Sequence, residues 1–243
     1  MGKANNAFLD ALSAADQAML RPHTRLVRLP PGKVLQDAET IVSTAYFPQA
    51  GVISLVDLMS SGFHTDVGML GSNSLLGGWA ALGSPYTSLK ATVQLEGVAL
   101  STPVSALQSA ADRSPSLRRL LIGHVHALEM QMQVGISCNV SHAVEERLAR
   151  WLLHFHDVSG QREWRITQET LAAILGVQRT TLSTAAHHLK EKQAIDYNHG
   201  NVRLLDLEKL QRAACACYWT TRRHQQRIFG ERFHNSSHLT SLL

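Results

Sequence analysis

Gln178, Arg179, Thr180, Thr181, Ser183, Thr184, His187 and His188 crowd into one short stretch. Thr167 and Gln168 stand shortly before it. The group holds a guanidinium, hydroxyls, an amide and imidazoles, with no paired carboxylates. Its chemistry is hydrogen bonding to a patterned partner. An Arg can bond O6 and N7 of guanine together, and hydroxyl and amide groups reach base edges or phosphates.

Two helices must present these residues. Leu171, Ile174 and Leu175 fall at i, i+3, i+4, so the first helix is predicted over about Gln168 to Leu175. Ala172 is small where a second helix crosses. Gly176 follows at a turn that needs positive φ, and Val177 plugs the crossing. The second helix buries Leu182, Ala185, Ala186 and Leu189, and leaves Thr180, Thr184, His187 and His188 on the opposite side. Helix, glycine turn and two-sided helix is the geometry that enters a DNA major groove. Leu189 to Ile195 ends the second helix in a charged turn. Ile195 to Leu205 reads as two short strands about Asn198–Asn201, which makes a wing.

Charge agrees with a nucleic-acid partner. The 243 residues carry net +4. Residues 1–141 hold 9 basic and 9 acidic side chains, whereas residues 142–243 hold 14 and 10, so the whole excess lies with the helix-turn-helix. Apolar content of 44% supports real cores. No apolar run approaches the roughly 20 residues of a membrane span, and the N-terminus lacks the apolar segment of a secretory signal. With three cysteines, an odd number, the economical expectation is a reduced, cytoplasmic protein.

Ahead of the DNA-binding part, residues 5–22 read as a helical lead-in. From Thr24 to about Thr102, β-rich runs are broken by turn clusters such as Pro30–Gly32, Pro48–Gly51, Ser60–Gly62, Gly71–Asn73 and Gly83–Pro85. Many short strands predict an antiparallel sandwich or jelly roll. Ser114-Pro115 then opens a helix of roughly twenty-five residues. Its apolar stripe, with Leu117, Leu121, His124, Leu128, Met132 and Gly135, repeats at about 3.5 residues and predicts a dimer seam. A single core helix is the alternative.

This order resembles the Crp/Fnr superfamily of bacterial transcription regulators. The likeness covers nearly the whole chain. It is strongest in Glu146-Arg-Leu-Ala-Arg-Trp-Leu-Leu153, Arg165-Ile-Thr-Gln-Glu-Thr-Leu-Ala172, Gly176-Val-Gln-Arg-Thr-Thr-Leu182 and Ala213-Ala-Cys-Ala-Cys-Tyr218. The resemblance implies an α+β chain: an N-terminal antiparallel, jelly-roll-like β-roll over residues 1–113, a long dimerisation helix over 114–141, a winged helix-turn-helix over 142–221 and a basic tail over 222–243. It implies a homodimer on a two-fold symmetric operator in double-stranded DNA, and a roll that senses something or contacts RNA polymerase. Arg179 takes the position that reaches a guanine edge. Thr180 and Thr184 stand where other members often place a longer Glu and Arg.

The ligand pocket departs from the family. Cyclic-nucleotide binders place a Glu on the ribose and, further on, an Arg on the phosphate. Here Gly77-Gly78 leaves Gly where the Glu belongs, and Leu89 stands where the Arg belongs. Lys90 is next door, but on a strand it faces the other way. A Lys does not replace a bidentate phosphate clamp. Cyclic AMP of the usual kind is therefore not expected, and the effector is unknown.

No cofactor and no metal site is expected. Three cysteines cannot ligate a four-thiolate Fe–S cluster in one chain. Cys215-Ala-Cys217 is closer than the usual zinc-knuckle spacing, so packing under the wing is expected, with a redox disulfide as the alternative. His124 with His126, and His154 with His156, point about 200° apart on a helix and cannot share one ion. Motifs for a serine hydrolase, a P-loop or a zinc protease are absent from the sequence, so an enzyme is not expected. The competing reading is a sensor or scaffold that binds no DNA.

Overall fold

The structure, a computed structural model, describes residues 6–58 and 64–229. The expected Ser60–Gly62 break, the N-terminal five residues, and Arg232, His234 and His238 of the tail lie outside the described residues.

The lead-in forms α1 (Ala7–Asp10) and α2 (Ala14–Leu20). Asn6 caps α1 by accepting from Leu9 N, and its Nδ2 donates to Pro48 O at 2.8 Å and Ser74 O at 2.9 Å. One buried amide thus fixes a helix start to two backbone carbonyls of the roll, with its polar atoms satisfied.

The roll consists of β1 (Arg25–Leu29), β2 (Val34–Gln36), β3 (Thr40–Ile41), β4 (Thr44–Leu58), β5 (His64–Leu70), β6 (Tyr86–Thr87) and β7 (Lys90–Pro103). Five strands make one antiparallel sheet in the order β1-β7-β4-β5, with β2 also on β7; β3 and β6 form a second pair. The register between β4 and β7 shifts near Pro48, Ala50 and Val52. Pro48 has no N–H for a regular ladder. At Gly97 a Cβ would lie 2.0 Å from Ala50 O, so only glycine lets the strands cross there.

α3 (Val104–Arg113) leads into α4 (Pro115–Ser141). Ser114 accepts from Leu117 N at 3.2 Å, and Pro115 fills the first turn, where no amide is needed. α5 (Val144–Ser159) follows, then β8 (Glu163–Arg165), α6 (Gln168–Leu175), α7 (Arg179–Glu191), β9 (Ile195–Asn198), β10 (Asn201–Leu204), α8 (Leu207–Ala213) and α9 (Cys217–Phe229). The wing is three-stranded, β8-β10-β9, one strand more than the sequence suggested. That strand brings Trp164 into the core, stacked on Phe155 with ring centroids 4.5 Å apart.

The long helix departs from expectation in its orientation. Leu117, Leu121, His124 and Leu128 are buried in their own chain, Leu117 and Leu121 with Phe8 and Phe47, and Leu128 with Ile53 and Leu70. Met132 packs beside Leu128, and Gly135 is half-buried. Four of the six seam residues, Leu117 to Leu128, therefore line the roll, whereas a side chain at Gly135 would meet open space. The apolar face left open is a different one, with Ile122, Ile136 and Val140 at 52%, 68% and 85% exposure. The roll covers the face that bears the leucines, and the open face also carries the exposed Glu129 and Gln133 between Ile122 and Ile136.

Candidate nucleic-acid interface

α6 and α7 cross around Gly176, which sits in the left-handed region at φ +63°. Gly176 and Val177 N donate to the carbonyls of Ala173 and Ala172 and close the end of α6. The buried guanidinium of Arg147, on α5, donates to Leu175 O at the same end. It answers both an orphan carbonyl and the negative pole of the helix. Leu171, Ala172, Leu175, Leu182, Ala185, Ala186 and Leu189 share one core with Leu148, Trp151 and Leu152 of α5. The opposite side of α7 is left to solvent.

On that side Gln178, Arg179, Thr180, Thr181, Ser183, Thr184, His187 and His188 are all exposed. Thr184 donates back to Thr180 O at 3.2 Å, a bond within the helix. Thr167 caps α6 by accepting from Thr170 N at 3.1 Å, and Gln168 is half-buried beside it. Arg179 reaches back over α6. Its Nε donates to Gln168 Oε1 at 3.3 Å, and its Nη1 lies 2.8 Å from Glu169 Oε1.

Acids hold the other cations of this face too. Glu145 on α5 accepts from Lys192 and lies 3.2 Å from His188 Nδ1. Burial works to raise the Glu145 carboxyl, but Lys192 and His188 prevail and hold it below its usual value. Lys190 lies 2.9 Å from Asp196, which also meets Arg203. His187 pairs with Glu191 at 3.3 Å. These pairs are solvent-exposed on the cation side and weak, so each can open toward a phosphate at small cost.

Of the expected pocket residues, Lys90 lines a cavity that Gly77, Gly78 and Leu89 do not. Gly77 and Gly78 begin a 3-10 turn, and a Cβ at Gly78 would lie 2.7 Å from Leu75 Cδ2. Leu89 is half-buried against the core cluster that includes Ile53, Ala91 and Val93. Lys90 instead lines a cavity of about 310 Å³ between the sheet and α6, with Ser54, Asp66, Thr170 and Ile174. Burial pushes the Asp66 carboxyl up to about 7, against the opposing pull of Ser54.

The cysteines are a correction. Cys215 and Cys217 do not pack under the wing; the α8–α9 link folds back onto the end of α4. There Cys138 Sγ is 3.4 Å from Cys215 Sγ, and Cys217 Sγ is 3.7 Å from His142 Nδ1. The Cys215 thiol beside it lowers the Cys138 thiol, and Cys215 is itself pushed up. Spacing along the chain could not reveal this group, because Cys138 and Cys215 are 77 residues apart. The buried histidines have other partners: His154 Nε2 meets Gln131 Nε2 at 2.7 Å, and His156 Nδ1 meets Gln161 O at 2.8 Å.

Comparison with known proteins agrees with the geometry. Residues 146–213 match the Crp-like helix-turn-helix domain. No curated protein sequence gives a match. Among solved structures, FixK2 of Bradyrhizobium japonicum is 14% identical with a TM-score of 0.68, over 79% of this chain and 98% of that one. The global regulator CLP of Xanthomonas campestris, described as c-di-GMP responsive, is 15% identical with a TM-score of 0.65, over 79% and 99%. A CRP/FNR-family transcriptional regulator of Thermus thermophilus is 20% identical with a TM-score of 0.64, over 78% and 98%. Among the described residues, no helix is long and apolar enough to cross a membrane. Residues 146–213 are thus a Crp-like helix-turn-helix domain, carried on a chain with the fold of the Crp/Fnr transcription regulators.

Proposed function

We propose that the protein is a homodimeric transcription regulator that reads a two-fold symmetric operator through α7. The observation that carries this reading is the exposed polar face of α7, with Arg179 at its first turn, opposite a face sealed into the core. That face fits a major groove, with Arg179 on a guanine and the hydroxyls of Thr180, Thr181, Ser183 and Thr184 on neighbouring edges or phosphates.

Two copies pair along α4. The open stripe of Ile122, Ile136 and Val140 is the apolar surface available for that contact. A symmetric pair would place its recognition helices about 34 Å apart, in successive major grooves. The effector is not cyclic AMP of the usual kind, since Gly78 and Leu89 supply neither a ribose acid nor a phosphate guanidinium.

Selection of bound sequences from random DNA, with the full-length protein, tests the reading. An inverted repeat with half-sites about one helical turn apart is expected. Failure to enrich any sequence, with and without cell extract as a source of effector, would overturn it.

A further inference from the structure

Cys138, His142, Cys215 and Cys217 converge from two separate parts of the chain. Cys138 and His142 stand at i and i+4 on the last turn of α4 and its C-cap. Their side chains therefore share one face. Cys215 and Cys217 flank the break between α8 and α9, where the chain reverses. One ligand atom from each residue lies within 4.8 Å of all the others.

A zinc ion bound at about 2.3 Å from sulfur and 2.0–2.1 Å from nitrogen sets tetrahedral edges of roughly 3.5–3.8 Å. Two of the separations here, 3.4 and 3.7 Å, are close to those edges. The remaining ones need a contraction of about an ångström or less. Ligand type narrows the ion further. Three thiolates and an imidazole suit zinc and similar borderline or soft ions, whereas calcium and magnesium want oxygen. An Fe–S cluster is too large for the space, because its outer thiolates bind different irons and must stand farther apart. Cys138 and Cys215 are buried, Cys217 and His142 half-buried, so the group is shielded but within reach of an entering ion.

We propose that Cys138, His142, Cys215 and Cys217 form a structural zinc site that ties the end of α4 to the start of α9. Four protein ligands close the coordination sphere and leave no position for a substrate. Binding releases to solvent the protons still held on the thiols. The ion would brace the joint at His142, where α4 passes into the helix-turn-helix unit. This reaches beyond the proposed DNA reading and does not depend on it.

The test uses full-length protein purified without metal-affinity steps and kept reduced. Elemental analysis should find one zinc per chain. Replacement by cobalt(II) should give the intense absorption of a tetrahedral, thiolate-bound ion. Cys217→Ser and His142→Ala, at the two half-buried positions, should each weaken cobalt binding by roughly tenfold or more, with helical circular dichroism confirming that both variants fold. His126→Ala, on an exposed turn of the same helix, should bind as wild type does. The proposal fails if the reduced protein takes up neither zinc nor cobalt at one equivalent. It fails equally if both variants bind cobalt as tightly as wild type, or if freshly isolated protein carries a Cys138–Cys215 disulfide that accounts for both thiols. Should both variants misfold, the thermal midpoint of wild type with zinc against chelator decides: no shift overturns the site.

Discussion

The guanidinium of Arg179 and the carboxylate of Glu169 meet at 2.8 Å across the turn of the helix-turn-helix, with both side chains about two-thirds exposed. An exposed pair of this kind is worth about 0–1 kcal/mol. Arg179 can therefore exchange Glu169 for a guanine edge with little loss. Arg179→Ala should cost roughly 1–3 kcal/mol at the operator and relax preference at one base pair per half-site. Glu169→Gln should leave stability within about 0.5 kcal/mol and tighten binding to DNA of any sequence, because a negative charge leaves the phosphate side. Anisotropy titrations combined with sequence selection report both. The same selected motif for wild type and Arg179→Ala would remove Arg179 as the reading residue.

The two faces of α4 separate assembly from folding. Ile136→Glu and Val140→Glu place a charge on the open stripe and should give folded monomers with weakened operator binding. Leu121→Glu places it in the core of the roll, and should cost at least the roughly 2–5 kcal/mol typical of truncating a buried Leu. Sedimentation alongside thermal melting distinguishes these outcomes. Intact dimers for both Ile136→Glu and Val140→Glu would move the pairing surface elsewhere.

His124 makes stability depend on acid. Its Nε2 accepts from Leu75 N at 3.0 Å and lies 2.7 Å from Ser74 Oγ, which requires the neutral ring. Burial lowers its pKa from 6.5 to about 4. As pH falls below 6.5 the unfolded chain takes up the proton first, so the native state loses up to about 1.4 kcal/mol per pH unit, until the folded ring also titrates near 4. His154 adds a slope of the same sign, from burial and then Arg150, and Asp66 adds one of opposite sign between its ordinary value and about 7. Denaturant melts of wild type and His124→Gln between about pH 7 and pH 4 isolate the one ring. Parallel curves would show that the folded His124 ring titrates as it does in the unfolded chain.

Calorimetry with cyclic AMP should give no heat of binding. Gly78 has no room for a ribose-binding side chain, with Leu75 in the way, and Leu89 is packed into the roll rather than facing a phosphate. A buried phosphate would lose water without gaining a guanidinium. Micromolar binding that Lys90→Ala abolishes would place a live site in the cavity beside Asp66.

What could be read from the sequence was local. α6 spans Gln168–Leu175, Gly176 has the positive φ the turn demanded, and the wing strands meet about Asn198 and Asn201, all set by spacing within a few residues. The third wing strand escaped notice because Glu163–Arg165 is too short to show alternation. The orientation of α4 was hidden because Leu117, Leu121 and Leu128 on one side, and Ile122, Ile136 and Val140 on another, both repeat at helical intervals. Only packing decides between such stripes. The thiol and imidazole cluster depends on how α9 folds back on α4, which no local pattern encodes.

Val52 and Met69 of the roll belong to the same core as Trp151, Phe155 and Leu171. A Cβ at Gly71 would lie 2.4 Å from Val158 O, and Thr65 Oγ1 donates to Ile174 O at 3.3 Å. The roll and the helix-turn-helix unit are thus packed tightly at Met69 and Gly71, whereas the cavity beside Asp66 leaves room between β5 and α6. A displacement of β5 at Thr65 or Gly71 is expected to pass to α6 and α5 through these contacts, so that the roll would act as a lever arm on the turn that aims α7.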